Sequence, residues 1–177
     1  MPVFKAVNKA YRDGSDFRNL VLYAINRETG ETNVCGAQAV MLGDADSMYG
    51  QMEEVKRYFR KEDKRQALHY VLSFSKGEME YIGIREALEI GYSVAGYFFT
   101  GWQTVFGIHT NTDNLHIHFV VNGTSYEDGR AFDIGPAGLQ EIKEYVNVLG
   151  WHYYMESLPE EERREIMFRK IRAMAEA

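Results

Sequence analysis

Cysteine is nearly absent. The chain of 177 residues holds only Cys35, so it can form no internal disulfide and suits a reducing cytosol. Proline is scarce too, with three copies, which excludes a proline-rich linker or extended polyproline segment. No apolar run reaches the ~18 residues of a transmembrane helix. The opening MPVFKAVNKAYRDGSDF has no apolar core of a secretory signal. The expected setting is therefore cytoplasmic, with no membrane insertion. A basic excess is also missing: 20 Lys and Arg face 26 Asp and Glu, for a net charge of −6. That argues against a broad basic footprint for nucleic acid. One segment, Lys56 to Arg65 (KRYFRKEDKR), is locally basic and reads as a solvated helix end. The zinc-hydrolase helix HExxH, any cysteine cluster and internal repeats are all lacking.

What is present is enough for one core. Hydrophobic residues make up 45% of the chain, and one domain is expected at this length. Val3 to Val7 reads as a strand. Phe17, Leu20, Val21 and Ala24 share a helical stripe that Ser15 or Asp16 would cap and that would end near Gly30. Asn33 to Met41 reads as a strand with a bulge at Gly36, and Ser47 opens a helix with Met48, Met52, Val55 and Phe59 on one face. A buried strand follows at Leu68 to Phe74, then a helix over Ile84 to Phe99. Asp128-Gly129 signals a tight turn. A helix from Leu139 is expected to stop at Gly150, and Pro159 starts a last, charged helix. Hairpin-linked strands mixed with helices in no strict alternation predict an α+β fold with a central antiparallel sheet flanked by helices.

Three of the five histidines fall within ten residues: His109, His116 and His118, in HTNTDNLHIHFVVN. His116 and His118 are two apart in an apolar run, so on a strand they share a face. If QTVFGIHT pairs with that strand as an antiparallel hairpin, and His109 lies opposite His116, all three imidazoles converge. Three converging neutral imidazoles make a metal site with room for substrate, and the ligands alone suit zinc, manganese or magnesium. His69 alternates with Val71 and Ser73 along its own strand and so can face the same site. His152, beside Trp151, reads as structural.

The histidine spacing resembles the metal motif of the relaxase (mobilisation nuclease) family, the MobA/MobL-like HUH endonucleases of conjugative plasmids. His116-Ile117-His118 corresponds to the paired histidines and His109 to the third, seven residues earlier. Asn122 matches the Asn that often closes the motif. The family often carries Asp two residues after the first histidine; here that position is Asn111, with Asp113 two further on. The resemblance implies supporting roles around the metal for Asn122, Asn111 and Asp113. HYVLSFSKGE (His69 to Glu78) resembles the family's second motif, implying that Ser73 contacts DNA near the cleaved phosphate. FRNLVLYAINRETGE resembles the first motif, which implies that Tyr23 is the nucleophile, with Tyr11 as the fallback and Tyr145, Tyr153 and Tyr154 behind it.

The family's chemistry suits these residue types. A phenol titrates near ~10 and is a poor nucleophile at neutral pH unless its target is activated. A divalent cation on neutral histidines offsets the charge that builds on a phosphodiester. The resemblance thus implies a bacterial, cytoplasmic relaxase. It would nick and religate single-stranded DNA at an origin of transfer through a 5′-phosphotyrosyl bond, with Mg²⁺ or Mn²⁺ (Zn²⁺ a third candidate) and with accessory mobilisation proteins. The nuclease unit is expected over 1–150, with 151–177 a charged helix. Trp102, Tyr126 and Phe132 could stack on unpaired bases, but core or surface packing is the first expectation for each. The rival readings are a rolling-circle replication initiator, a non-catalytic DNA-binding accessory module and a small metal-dependent hydrolase unrelated to DNA.

Overall fold

The computed structural model describes residues 1–25, 34–110 and 112–176. In chain order it contains β1 (Val3–Ala6), α1 (Gly14–Ala24), β2 (Cys35–Gln38), α2 (Ala45–Tyr58), β3 (Ala67–Ser73), α3 (Ile84–Phe98), β4 (Thr104–His109), β5 (His116–Asn122), α4 (Gly135–Ser157) and α5 (Glu160–Ala175). A short 3₁₀ turn, Glu78–Glu80, precedes α3. The five strands form one sheet in the order β1-β3-β5-β4-β2, and every pairing is antiparallel. The α+β fold with a central antiparallel sheet is as the sequence pattern predicts.

Strand alternation decides the layers. Leu68, Tyr70 and Leu72 of β3, Phe106 and Ile108 of β4, and Ile117, Phe119 and Val121 of β5 form one core with Ile90 and Val94 of α3 and Ile142 and Val146 of α4. The residues between them point the other way. Ala67, Val105 and Val120 pack against Phe17, Leu20 and Val21 of α1 and Met48 and Met52 of α2. The sheet is thus covered on both faces, and the histidines lie on the α1/α2 side.

Three glycine contacts set how closely these layers meet. The Phe106 ring lies against Gly36 and Gly91, where a Cβ would come within 2.2 and 2.3 Å of ring carbons. Gly36 therefore forms no bulge: it pairs in register with Phe106 and makes room for the ring. At Gly107 a Cβ would lie 1.8 Å from the Ala24 carbonyl oxygen. Only a glycine there lets the C-terminal end of α1 rest directly on β4.

Other departures from the sequence reading are local. α1 is capped by Asp13, whose carboxylate accepts from the Asp16 N–H at 2.8 Å, and it ends at Ala24; Gly30 lies outside the described residues. Asp44 caps α2 by accepting from the Ser47 N–H at 2.8 Å, so that helix starts two residues early, at Ala45. β2 stops at Gln38, and Ala39 follows with φ 54°. The helix expected to end at Gly150 continues to Ser157, so the boundary expected at 150 falls inside α4. Among the described residues the left-handed glycines are Gly101, Gly129 and Gly135. Gly150 is instead a buried helical position where a Cβ would sit 3.4 Å from Pro2. The Asp128-Gly129 turn forms as expected, with Gly129 at φ 73°. α5 buries no side chain. Among the described residues no helix is long and apolar enough to cross a membrane.

Candidate metal centre and active site

The β4–β5 register places His109 directly opposite His116, and Gly107 opposite His118. Ligand atoms of His109, His116 and His118 consequently lie within 4.8 Å of one another. Each ring is held by a different partner. His109 Nε2 donates to the Ala24 carbonyl at 2.8 Å, so in a neutral ring the lone pair is on Nδ1. His116 Nδ1 donates to the Asn114 carbonyl at 2.9 Å, which puts its lone pair on Nε2. His118 Nδ1 lies 2.8 Å from His69 Nε2.

The fit to a divalent cation rests on one orphaned atom. His118 Nε2 is buried and has no hydrogen-bond partner. A buried polar atom left unsatisfied is unfavourable, and a metal ion among the three rings would satisfy this one. Burial disfavours the charged form of His118 and of its neighbour His69. Burial pushes His118 down to about 3, with His109, His69 and His116 adding to the shift. Burial, then His109, pushes His69 down to about 4. Histidines in this state present lone pairs at neutral pH.

Tyr23 stands over this cluster. It lies in the last turn of α1, half exposed at 51%. Its ring centroid is 5.0 Å from that of His118, 5.5 Å from His109 and 6.4 Å from His69. The close approach of Ala24 to Gly107 is what brings this turn down onto the sheet. Ser73 pairs in register with His116 and shares the histidine face of β3, half-buried at the rim.

Two of the other expected residues lie apart from the rings. Asn122 is buried at the far end of β5 and donates to the Met52 carbonyl at 2.8 Å and to Gln103 Oε1 at 3.1 Å. Its Oδ1 accepts from the Thr124 N–H. The residue thus ties β5 to α2. Asp113 is exposed and pairs with Lys76 at 3.2 Å. Asn111 lies outside the described residues. His152 is exposed on α4 beside Tyr153.

Sequence reading gives too little weight to one group. His69 touches His118, and Tyr11 Oη lies 3.1 Å from His69 Nδ1, so Tyr11 is buried behind the histidine cluster. Strand parity places His69 on this face, but nothing local in the sequence places Tyr11. It arrives through a single bridge to Ala67.

A family model described as "Relaxase: MobA/VirD2-like, nuclease domain" matches residues 23–155, a span that opens on Tyr23 and contains all three histidines. The chain belongs to that family. It is 33% identical over 127 residues to Protein TraI of Escherichia coli, covering 67% of this chain and 17% of TraI. It is 33% identical over 90 residues to Protein MobA of Acidithiobacillus ferrooxidans, covering 47% of this chain and 21% of MobA. The chain thus spans about a fifth of the length of these relatives. The fold matches the MobM relaxase domain, solved bound to plasmid pMV158 oriT DNA. An Mn-bound complex gives a TM-score of 0.56 at 12% identity, and a complex with a 26-nucleotide DNA gives 0.55 at 10%. Each match covers 86% of both chains.

Proposed function

We propose that this relaxase domain nicks one strand of DNA at an origin of transfer and can reseal it, with Tyr23 as nucleophile. The observation that carries this reading is the Tyr23 ring at 5.0 Å from the His118 ring, above three histidines suited to a cation. The Tyr23 oxygen forms a bond to phosphorus as the bond from phosphorus to the 3′ oxygen breaks. The phenolic proton passes to solvent, and the departing 3′ oxygen takes up a proton to become a free hydroxyl. One phosphodiester replaces another, so the exchange is reversible and the strand can be rejoined.

His109, His116 and His118 would hold the metal, Mg²⁺ or Mn²⁺. When bound, it neutralises charge on the non-bridging phosphate oxygens. The protein's share is positioning: α1 fixes Tyr23 over the site, and the sheet fixes the ligands. Ser73, beside His116 on the same face, is suited to donate to a neighbouring phosphate oxygen. The proposed substrate is single-stranded DNA, a reading supported by the half-exposed Tyr23 above the rings and by the DNA bound in the MobM complexes. The proposed setting is the bacterial cytoplasm, alongside accessory mobilisation proteins.

The test is a nicking assay on oligonucleotides spanning a cognate origin, with Mn²⁺, resolved under denaturing conditions. Wild type should give a protein–DNA adduct whose tryptic peptide carries Tyr23. A full yield of adduct from Tyr23→Phe would refute the assignment. An adduct mapped to a tyrosine after the histidines would favour the rolling-circle initiator instead.

A further inference from the structure

The metal ligands are backed by a hydrogen-bonded chain that runs away from the substrate face. His118 Nδ1 meets His69 Nε2 at 2.8 Å, and His69 Nδ1 meets Tyr11 Oη at 3.1 Å. All three side chains are buried. Tyr11 is held from its own backbone, whose carbonyl accepts from the Gln66 N–H at 2.9 Å.

Such a chain can run in two directions. In one, Tyr11 donates to His69 and His69 donates to His118; a neutral His118 then carries its proton on Nε2. That leaves a buried N–H with no acceptor and removes the lone pair a metal needs. In the other, His118 Nδ1–H donates to His69 and His69 Nδ1–H donates to the Tyr11 oxygen. His118 Nε2 then presents its lone pair among the ligand atoms of His109 and His116. Only the second direction is compatible with ligation, and it fixes the tautomer of both histidines at once.

We propose that Tyr11 and His69 are positioning residues that lock His118 into its metal-binding tautomer. This rests on reading the three histidines as a metal site, and not on which reaction follows. His69 takes the place where a metal-bound histidine often has a carboxylate. Because it is a neutral brace, it fixes the ring without cancelling the cation's charge, which suits an anionic phosphate. Tyr11 has a different part from Tyr23: its oxygen closes the chain as acceptor, behind the site.

The test is Mn²⁺ binding by calorimetry, with no DNA present, on wild type, His69→Leu, His69→Gln and Tyr11→Phe. Circular dichroism checks that each is folded, and Tyr11→Phe keeps the ring that fills the space. Loss of a supporting partner of a metal ligand typically weakens affinity about 10- to 100-fold. His69→Leu should show that loss. Tyr11→Phe should show a smaller one, and His69→Gln, whose amide oxygen can accept from His118 Nδ1, should recover most of it. ¹⁵N imidazole spectra of the metal-free protein supply an independent readout. Wild-type His118 should be protonated on Nδ1, and His69→Leu should shift it toward the other tautomer. Unchanged affinity and unchanged tautomer in both His69→Leu and Tyr11→Phe would overturn the proposal alone. A wild type that binds no Mn²⁺ would overturn the metal reading and the relay together.

Discussion

Ala24 and Gly107 meet without room for a methyl group between them: a Cβ on Gly107 would lie 1.8 Å from the Ala24 carbonyl oxygen and 2.8 Å from its carbon. The same carbonyl accepts from His109 Nε2 at 2.8 Å. One backbone group thus seats α1 on the sheet, orients the His109 ring and places Tyr23, the preceding residue, above the cluster. Gly107→Ala has to push this turn away. Overpacking of this kind destabilises by about 1–3 kcal/mol, which urea unfolding would measure. A displacement near 1 Å at a reacting group can lower a rate about 100-fold. Adduct formation should therefore fall far more than stability does. A variant with full nicking rate would show that α1 does not need this contact.

The histidine cluster was legible in the sequence because strand parity is strict. One residue of slip would have turned His116 and His118 away from His109, so the apolar alternation of Ile117, Phe119 and Val121 fixed the face. The seat of α1 was not legible. Gly107 looks like any strand glycine until the helix end that rests on it is known. Tyr11 was hidden for a similar reason, since its contact with His69 joins residues 58 positions apart. Gly150 misled because a glycine at the end of a helical stripe reads the same whether it stops a helix or admits a neighbour such as Pro2.

Of the three clustered histidines, His116 alone is half-buried rather than buried, and its Nδ1 is committed to Asn114. His116→Ala should therefore fold normally and bind metal poorly. The loss in Mn²⁺ affinity should exceed the about 10- to 100-fold typical of a group that merely supports a ligand. Thermal unfolding gives a second check. At a concentration near 100 times its Kd, Mn²⁺ should stabilise wild type by about 2.7 kcal/mol. The same concentration should scarcely move the variant. Equal stabilisation of both proteins would remove His116 from the ligand set.

Ser73 should separate DNA binding from metal binding. It stands opposite His116 in register, and its hydroxyl is a candidate donor to a phosphate. A hydrogen bond to a charged group is worth about 1.5–3 kcal/mol. Ser73→Ala should thus weaken binding of a single-stranded origin oligonucleotide roughly 10- to 100-fold by fluorescence anisotropy. Mn²⁺ affinity should stay as in wild type. An unchanged anisotropy titration would remove Ser73 from the DNA contact.

Lys56 offers a pH prediction away from the histidine cluster. Its ammonium is buried, donates to the Arg65 carbonyl at 3.1 Å and to Thr124 Oγ1 at 3.4 Å, and lies 5.7 Å from the Phe17 ring centroid. Burial pushes it from 10.5 down to about 8. That gap corresponds to about 3 kcal/mol favouring the neutral amine in the folded protein. Below pH 8 both folded and unfolded states carry the proton, so the full penalty is present and gives no slope. Between pH 8 and 10.5 the folded state releases the proton while the unfolded state keeps it, and stability rises with pH. Above 10.5 the penalty is gone. Lys56→Met has no such titration. The stability of Lys56→Met minus that of wild type should be greatest below pH 8 and should shrink by about 3 kcal/mol as the pH climbs to 10.5. Urea unfolding of both proteins across that range measures the difference, with other titrating groups cancelling between them. A gap that stays constant would mean that Lys56 is as well accommodated when charged as it is in water.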